Sequence, residues 1–330
     1  MTTTAAAGLE VVFLGTPTFA VPSLRALVAA PGHRVSLVVT APDRPAGRGL
    51  RPRPSPVKVA ARELDLRVTT VAPREGREVA AVIKRARPAV VVVVAWGGLL
   101  NAAARDAARL AVVNVHPSLL PRWRGAAPIE RALMAGDTVT GTTIMHVARR
   151  LDAGDVILQE PLPIPTAADA GVLRPLLAAQ GAGLLVKALD LLAAGGAPRI
   201  AQDEAAVTLA PKLGPADERI DWEMTAQQII NRTRGLSPTP GTYFLHKGRR
   251  VKIKGAAIVS SEPPGPTGAA AEPGPGVIVD RGRDNLVVAA GQGSYVELHE
   301  VQPAGAKVTT AAGFAHGRRL RVGDQLDQGG

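Results

Sequence analysis

Cysteine is absent from the 330-residue chain, which excludes disulfides, thiolate metal ligands and cysteine nucleophiles. The leader "MTTTAAAGLE" lacks the basic and apolar regions of a secretory signal. The longest apolar run, Ala89–Trp96, falls far short of the ~20 residues that cross a bilayer. Neither Gly-x-Gly-x-x-Gly nor a Walker phosphate loop occurs, so no dinucleotide or nucleoside triphosphate is indicated. No serine sits in a Gly-x-Ser-x-Gly elbow, which leaves a covalent serine route without support. A cytoplasmic protein with no membrane association is the expectation.

Against 28 acidic residues stand 39 basic ones, and the resulting formal charge of +11 invites a polyanionic partner. Arginine outnumbers lysine 31 to 8 amid abundant Ala, Gly and Pro, so compositional bias explains the total as readily as binding does. Clustering is the better guide. From Arg44 to Arg62, "RPAGRGLRPRPSPVKVAAR" holds six basic residues and no acid. A Pro- and Gly-rich loop of that length inside an α/β unit is usually functional or disordered. Arg44, Arg48, Arg51 and Arg53 can neutralise phosphates there. A second cluster, "KGRRVKIK", sets Lys247, Arg249, Arg250, Lys252 and Lys254 on an alternating strand with one basic face. Alone, it fits a solvated face equally well; two clusters in two regions favour a polyanion.

Strands and helices alternate through the first half. "LEVVFLG", "HRVSLVVT", "AVVVVVA" and "AVVNVH" are apolar strands separated by helical segments, which predicts a mostly parallel sheet with helices on both faces. Ser55-Pro56 reads as an N-cap followed by an N1 proline. "GTTIMHVA" and "DVILQEPLPI" form a final strand pair, and a long helix from Gly171 closes the domain. Composition then shifts. We read 1–195 as the first domain, 196–213 as a linker and 214–330 as a second domain of short strands at turn-bounded spacing, a small β-barrel. Thr225-x-x-Gln228 is a capping box within it.

The strand "AVVNVH" ends in two polar residues and meets Pro117, which stops it. Asn114 and His116, two apart, share a face at the carboxyl end of a strand, where open α/β sheets bind ligands. An isolated Asn-x-His is more often a satisfied strand end than a site. A third group, Asp152, sits in the loop "RRLDAG" between two strands of the same sheet and can reach the same mouth. A carboxylate, an imidazole and an amide suit acyl chemistry, as acid/base groups and a donor to an oxyanion.

In order along the chain, "FLGTPTFAVPSL", "APDRPAGRG", "NVHPSLLPRWRGAAPI" and "GTTIMHVARRLDAGDVI" resemble the folate-dependent formyltransferase superfamily. The Arg-Pro-Ala-Gly-Arg-Gly loop and "RWRGAAPI" are similar to its tRNA-acting branch, and "KLGPADERIDW" anchors a weaker similarity in the second domain. The resemblance implies a Rossmann-like catalytic domain and an OB-like tRNA-binding barrel. It implies Asn114, His116 and Asp152 as the catalytic set. Ser118, Leu119, Leu120 and Pro121, with the strand end Trp96, Gly97, Leu99 and Leu100, are then the folate contacts. The two basic clusters would meet the tRNA. The implied reaction carries a formyl group from 10-formyltetrahydrofolate to the α-amine of initiator methionyl-tRNA, with no metal and no protein partner required. A sister enzyme acting on a nucleotide or sugar amine would share the catalytic set but leaves the basic loop and barrel without a purpose. A nicotinamide oxidoreductase lacks its glycine fingerprint, and a non-catalytic RNA-binding protein leaves Asn114, His116 and Asp152 unexplained.

Overall fold

The computed structural model describes residues 8–46, 51–259 and 273–326. Arg48 and the Pro-rich segment 260–272 lie outside the described residues. The chain divides into two compact units: Met1–Pro128, Val139–Ile164 and Leu173–Pro211 form the first, and Ile129–Thr138, Pro165–Val172 and Lys212–Gly330 the second.

In chain order the first unit carries β1 (Leu9–Gly15), β2 (His33–Thr40), β3 (Arg44–Ala46), β4 (Arg51–Arg53), β5 (Val68–Thr70), β6 (Val90–Val94), β7 (Ala111–His116), β8 (Arg124–Gly125), β9 (Val139–His146), β10 (Val156–Pro163) and β11 (Leu209–Ala210). A seven-stranded sheet runs β10-β9-β7-β6-β1-β2-β5. The strands from β7 to β5 are parallel, and β9 lies antiparallel to both β7 and β10. This is the expected mostly parallel sheet with an antiparallel edge. The valines of β6 are all buried, as the central strand of a sheet covered on both faces requires.

One face packs Val12, Leu14, Val91, Val93 and Val112 against Val79, Ala80 and Ile83 of the helix Gly76–Ala86. Ser55 caps the helix Pro56–Glu63, its Oγ accepting the Lys58 N–H at 3.0 Å. The helix Ala170–Ala193 is long and apolar enough to cross a membrane by length and composition. Leu177, Leu185, Ala188 and Leu189 are nevertheless buried, and Asp190 accepts from His33 Nε2 at 3.1 Å, the behaviour of a core helix. The stretch after this helix is ordered on the first unit. Ile200 bridges to Val156, and β11 pairs in parallel with β8.

In the second unit, β12 (Tyr243–His246), β13 (Arg249–Ile258), β14 (Ile278–Arg281), β15 (Leu286–Ala290), β16 (Ser294–Pro303) and β17 (Thr309–Thr310) make a curled antiparallel sheet. Its concave side closes on Trp222, Phe244 and Phe314, whose successive ring centroids are 5.8 Å and 6.2 Å apart. The helix Ala226–Leu236 opens on the expected capping box: Thr225 Oγ1 accepts Gln228 N–H at 3.2 Å and Gln228 Oε1 accepts Thr225 N–H at 2.9 Å. Thr225→Ala should therefore cost about 1 kcal/mol in urea unfolding. No change in the midpoint would mean that the cap contributes nothing measurable.

Candidate active site

Backbone register places the first two candidate residues. In β7, Asn114 sits opposite Val93 of β6 on one side and Met145 of β9 on the other, and His116 lies opposite Thr143. Alternation puts both on the face of Val112, so they point the same way, as the sequence predicts. β6 ends at Val94, one residue past the partner of Asn114, and the positive φ of Ala95 (47°) turns the chain away. Asn114 is half-buried and His116 buried at this sheet end.

The imidazole is held in one orientation. His116 Nε2 lies 2.9 Å from the Trp123 carbonyl, which only accepts, so Nε2 carries a hydrogen. Nδ1 is then the nitrogen left to exchange protons. It faces Asp152 Oδ2 at 3.7 Å, with both side chains almost wholly excluded from solvent. The carboxylate of Asp152 therefore stands beside the one ring nitrogen that the Trp123 carbonyl does not engage. Asp152 adopts φ +50°, an unusual conformation for a residue with a side chain. Its Oδ2 accepts the Gly125 N–H at 2.9 Å. The structure therefore brings Asp152 to the same sheet mouth as His116 and Asn114. His146, at the end of β9, is a different case. Burial chiefly, with Arg199 nearby, pulls its imidazole below the ordinary value, so it packs as a neutral ring.

The loop from Pro117 to Gly125 is over-determined by hydrogen bonds. Ser118 Oγ donates to Arg122 O at 2.7 Å, and Thr143 Oγ1 donates to Ser118 O at 2.7 Å. The same Thr143 oxygen accepts from Leu120 N (3.2 Å) and Gln159 Nε2 (2.8 Å), and Gln159 also donates to Leu120 O at 2.9 Å. Ser118 and Leu120 are buried, whereas Leu119 and Pro121 are half-buried. At the neighbouring strand end, Trp96 and Leu100 belong to the hydrophobic core beside Val12 and Val93. Gly97 and Leu99 are exposed, Leu99 at 71 %. Of the expected folate residues at this strand end, Trp96 and Leu100 are therefore packed into the core, and Gly97 and Leu99 face outward.

The basic segment forms a ribbon where its sequence reads as a loop. β3 and β4 pair antiparallel, Arg44 opposite Arg53 and Ala46 opposite Arg51, with Pro45 opposite Pro52. Cross-strand partners share a face, so Arg44, Arg51 and Arg53 line one side and the prolines the other. Among the described residues of the second cluster, Lys247 stands in the turn between β12 and β13, and Arg249 and Lys254 are exposed. Arg250 lies over the Tyr243 ring at 4.5 Å, and Lys252 Nζ donates to Pro240 O at 2.8 Å.

Four residues that support this site fall outside the predicted site set: Thr143, Gln159, Arg124 and Gln202. Arg124 and Gln202 are 78 positions apart, joined at 3.0 Å and 2.8 Å through Arg124 Nε and Nη2. Period-two alternation in β9 and β10 marks Thr143 and Gln159 as facing somewhere, without saying what they meet.

Residues 9–189 match the family described as Formyl transferase, and residues 212–319 match Formyl transferase, C-terminal domain. The methionyl-tRNA formyltransferase of Moorella thermoacetica is 47% identical over 318 residues, covering 96% of this chain and 99% of that protein. The chain belongs to the methionyl-tRNA formyltransferase family. Another member, from Symbiobacterium thermophilum, is 45% identical over 96% of this chain and 95% of its own length. Among solved structures, the N-formyltransferase from Helicobacter canadensis, in complex with folinic acid and dTDP-3-aminofucose, superposes with a TM-score of 0.65 at 13% identity. It covers 88% of this chain and 98% of that one. HypX from Aquifex aeolicus, with tetrahydrofolic acid, gives a TM-score of 0.60 at 14% identity over 93% of this chain, which spans 47% of HypX. At those identities the likeness extends the fold, not the substrate, to this formyltransferase family member.

Proposed function

We propose that this chain transfers a formyl group from 10-formyltetrahydrofolate to the α-amine of initiator methionyl-tRNA. The observation that carries the chemistry is Asp152 Oδ2 facing His116 Nδ1 at 3.7 Å beside Asn114, at the carboxyl end of the sheet. The names of its relatives, over nearly their whole length, supply methionyl-tRNA as the acceptor.

The neutral amine attacks the formyl carbon, a C–N bond forms, and the carbonyl electrons move onto oxygen. Asn114 is suited to donate its amide hydrogen to that oxyanion, a contribution typically worth about 10²–10³ in rate. The attacking nitrogen then sheds a proton and the folate nitrogen must gain one before it leaves. His116 Nδ1 is the group placed to pass it, with Asp152 stabilising the charged ring. Collapse of the oxyanion breaks the bond to folate and leaves an N-formyl amide. The Ser118–Pro121 loop and the exposed Gly97–Leu99 end are the natural folate contacts, one on each side of Asn114.

Recognition of the tRNA falls to the basic surfaces. Arg44 and Arg53 stand directly opposite each other, a like-charge pairing that disfavours the ribbon unless an anion lies across it. In the barrel unit, Lys247, Arg249, Arg250 and Arg318 line a cavity of ≈ 130 Å³ floored by Phe314, fit for a backbone phosphate. Replacing Arg51 and Arg53 together with alanine should raise KM for methionyl-tRNA and leave the folate KM alone. The logarithmic salt slope should also become shallower by ~0.7–0.9 for each phosphate that is no longer neutralised. Equal effects on both KM values would make the ribbon scaffolding for the folate pocket. No effect on either would remove it from tRNA binding.

A further inference from the structure

We propose that Gln202 and Arg124 are positioning residues for Asp152, so that the segment after the last long helix of the first unit forms part of the transfer site. The inference rests on Asp152 serving catalysis as set out above. The Gln202 amide spends all its capacity there. Nε2 donates to the Asp152 carbonyl at 2.9 Å and to the Gly154 carbonyl at 2.7 Å. Oε1 accepts from Arg124 Nε at 3.0 Å and Nη2 at 2.8 Å. A flipped amide would set its NH₂ against the guanidinium and its oxygen against two carbonyls, so the assignment is fixed by chemistry.

These hydrogen bonds close a ring. Arg124 directly precedes Gly125, whose N–H holds Asp152 Oδ2 at 2.9 Å. Asp152 is thus gripped at its carboxylate by one end of the Arg124-Gly125 dipeptide and at its carbonyl through Gln202 by the other. That grip is what a residue at φ +50° needs, since such a conformation is disfavoured for a residue with a side chain and persists only when its surroundings over-determine it. Arg124 itself is 4 % exposed, and a buried guanidinium has to be paired. Glu204 Oε1 accepts from Nη2 at 2.9 Å. Hydrogen bonds from Arg124, and then Arg150, hold the Glu204 carboxyl below its usual range, so it meets the guanidinium as a carboxylate at neutral pH. Few side chains meet these demands at position 202. Glutamate still serves Arg124 but opposes two carbonyl oxygens, and leucine serves neither partner.

The test is Gln202→Glu beside Asp152→Asn, with kcat and both KM values measured and folding followed by Tm. Q202E should lose about 10²-fold in kcat, the typical cost of an ångström-scale misplacement, with both KM values and Tm nearly unchanged. If Q202E turns over like the parent while D152N is inactive, the positioning role is overturned and Asp152 stands. Full turnover by D152N would instead remove the catalytic reading on which the inference rests. A general rise in both KM values with a lowered Tm would assign Gln202 to folding alone. Should Q202E not fold, Arg124→Lys keeps the buried cation and loses the two-pronged grip. It should show the same kcat loss with KM retained, and unchanged kcat there overturns the proposal.

Discussion

Replacing His116 with alanine should lower kcat for formyl transfer by about 10²–10⁴-fold, the usual worth of a positioned acid/base group, while the folate KM moves little. The imidazole is buried, fixed through Nε2 to the Trp123 carbonyl and directed through Nδ1 at Asp152. His116→Gln separates the two functions, because an amide can replace the donor to Trp123 but cannot exchange a proton. H116Q should therefore be as slow as H116A. Recovery of turnover in H116Q would make the ring a structural prop. Asn114→Ala should cost about 10²–10³-fold by removing an oxyanion donor. The double variant should lose far less than the product of the single losses, since both groups serve one transition state. Strict multiplicativity would place Asn114 outside that unit.

Gly154→Ala carries the second large effect, because the residue passes directly over β9. An added Cβ would stand 1.7 Å from the His146 carbonyl oxygen and 2.7 Å from its carbon. Backbone has to yield, and the segment that yields carries Asp152. His146 N–H donates to the Asp155 carbonyl at 2.9 Å and Gly154 O accepts from Gln202, so both anchors of the loop are strained together. A loss of about 1–3 kcal/mol in stability is expected from overpacking. Turnover should fall by at least about 10²-fold, because the carboxylate leaves its place opposite His116. Denaturant unfolding and kcat, taken on the same preparation, check both. Parent-like values for the two would show that the loop relaxes without disturbing the site.

Local rules made part of this site readable. Asn114 and His116 lie two apart on a strand, and the period of a strand alone puts them on one face. Asp152 was within reach of inference because a short loop joining paired strands cannot stray from the end of its sheet. That Trp96 and Leu100 pack into the core was not readable in the same way, since a place in a strand-end segment does not say which side meets the core. Pro45 and Pro52 make the 44–53 segment look like a loop, yet they sit opposite each other on a ribbon that, among the described residues, has no third strand to need their missing N–H groups. Arg124 and Gln202 were out of reach for a different reason. Their meeting depends on where a polar, Pro- and Ala-rich stretch returns to the sheet, and composition alone marks such a stretch as a connection.

Function in this chain turns on the identity of the amine that receives the formyl group. Purified protein should be supplied with 10-formyltetrahydrofolate labelled in the formyl carbon, and with initiator methionyl-tRNA and a nucleotide-linked amino sugar as competing acceptors in one vessel. The label should appear in base-stable amide linkage on the methionine of the tRNA and fail to appear on the sugar, with transfer abolished in His116→Gln. Label on the sugar amine, with methionyl-tRNA untouched, would contradict the assignment.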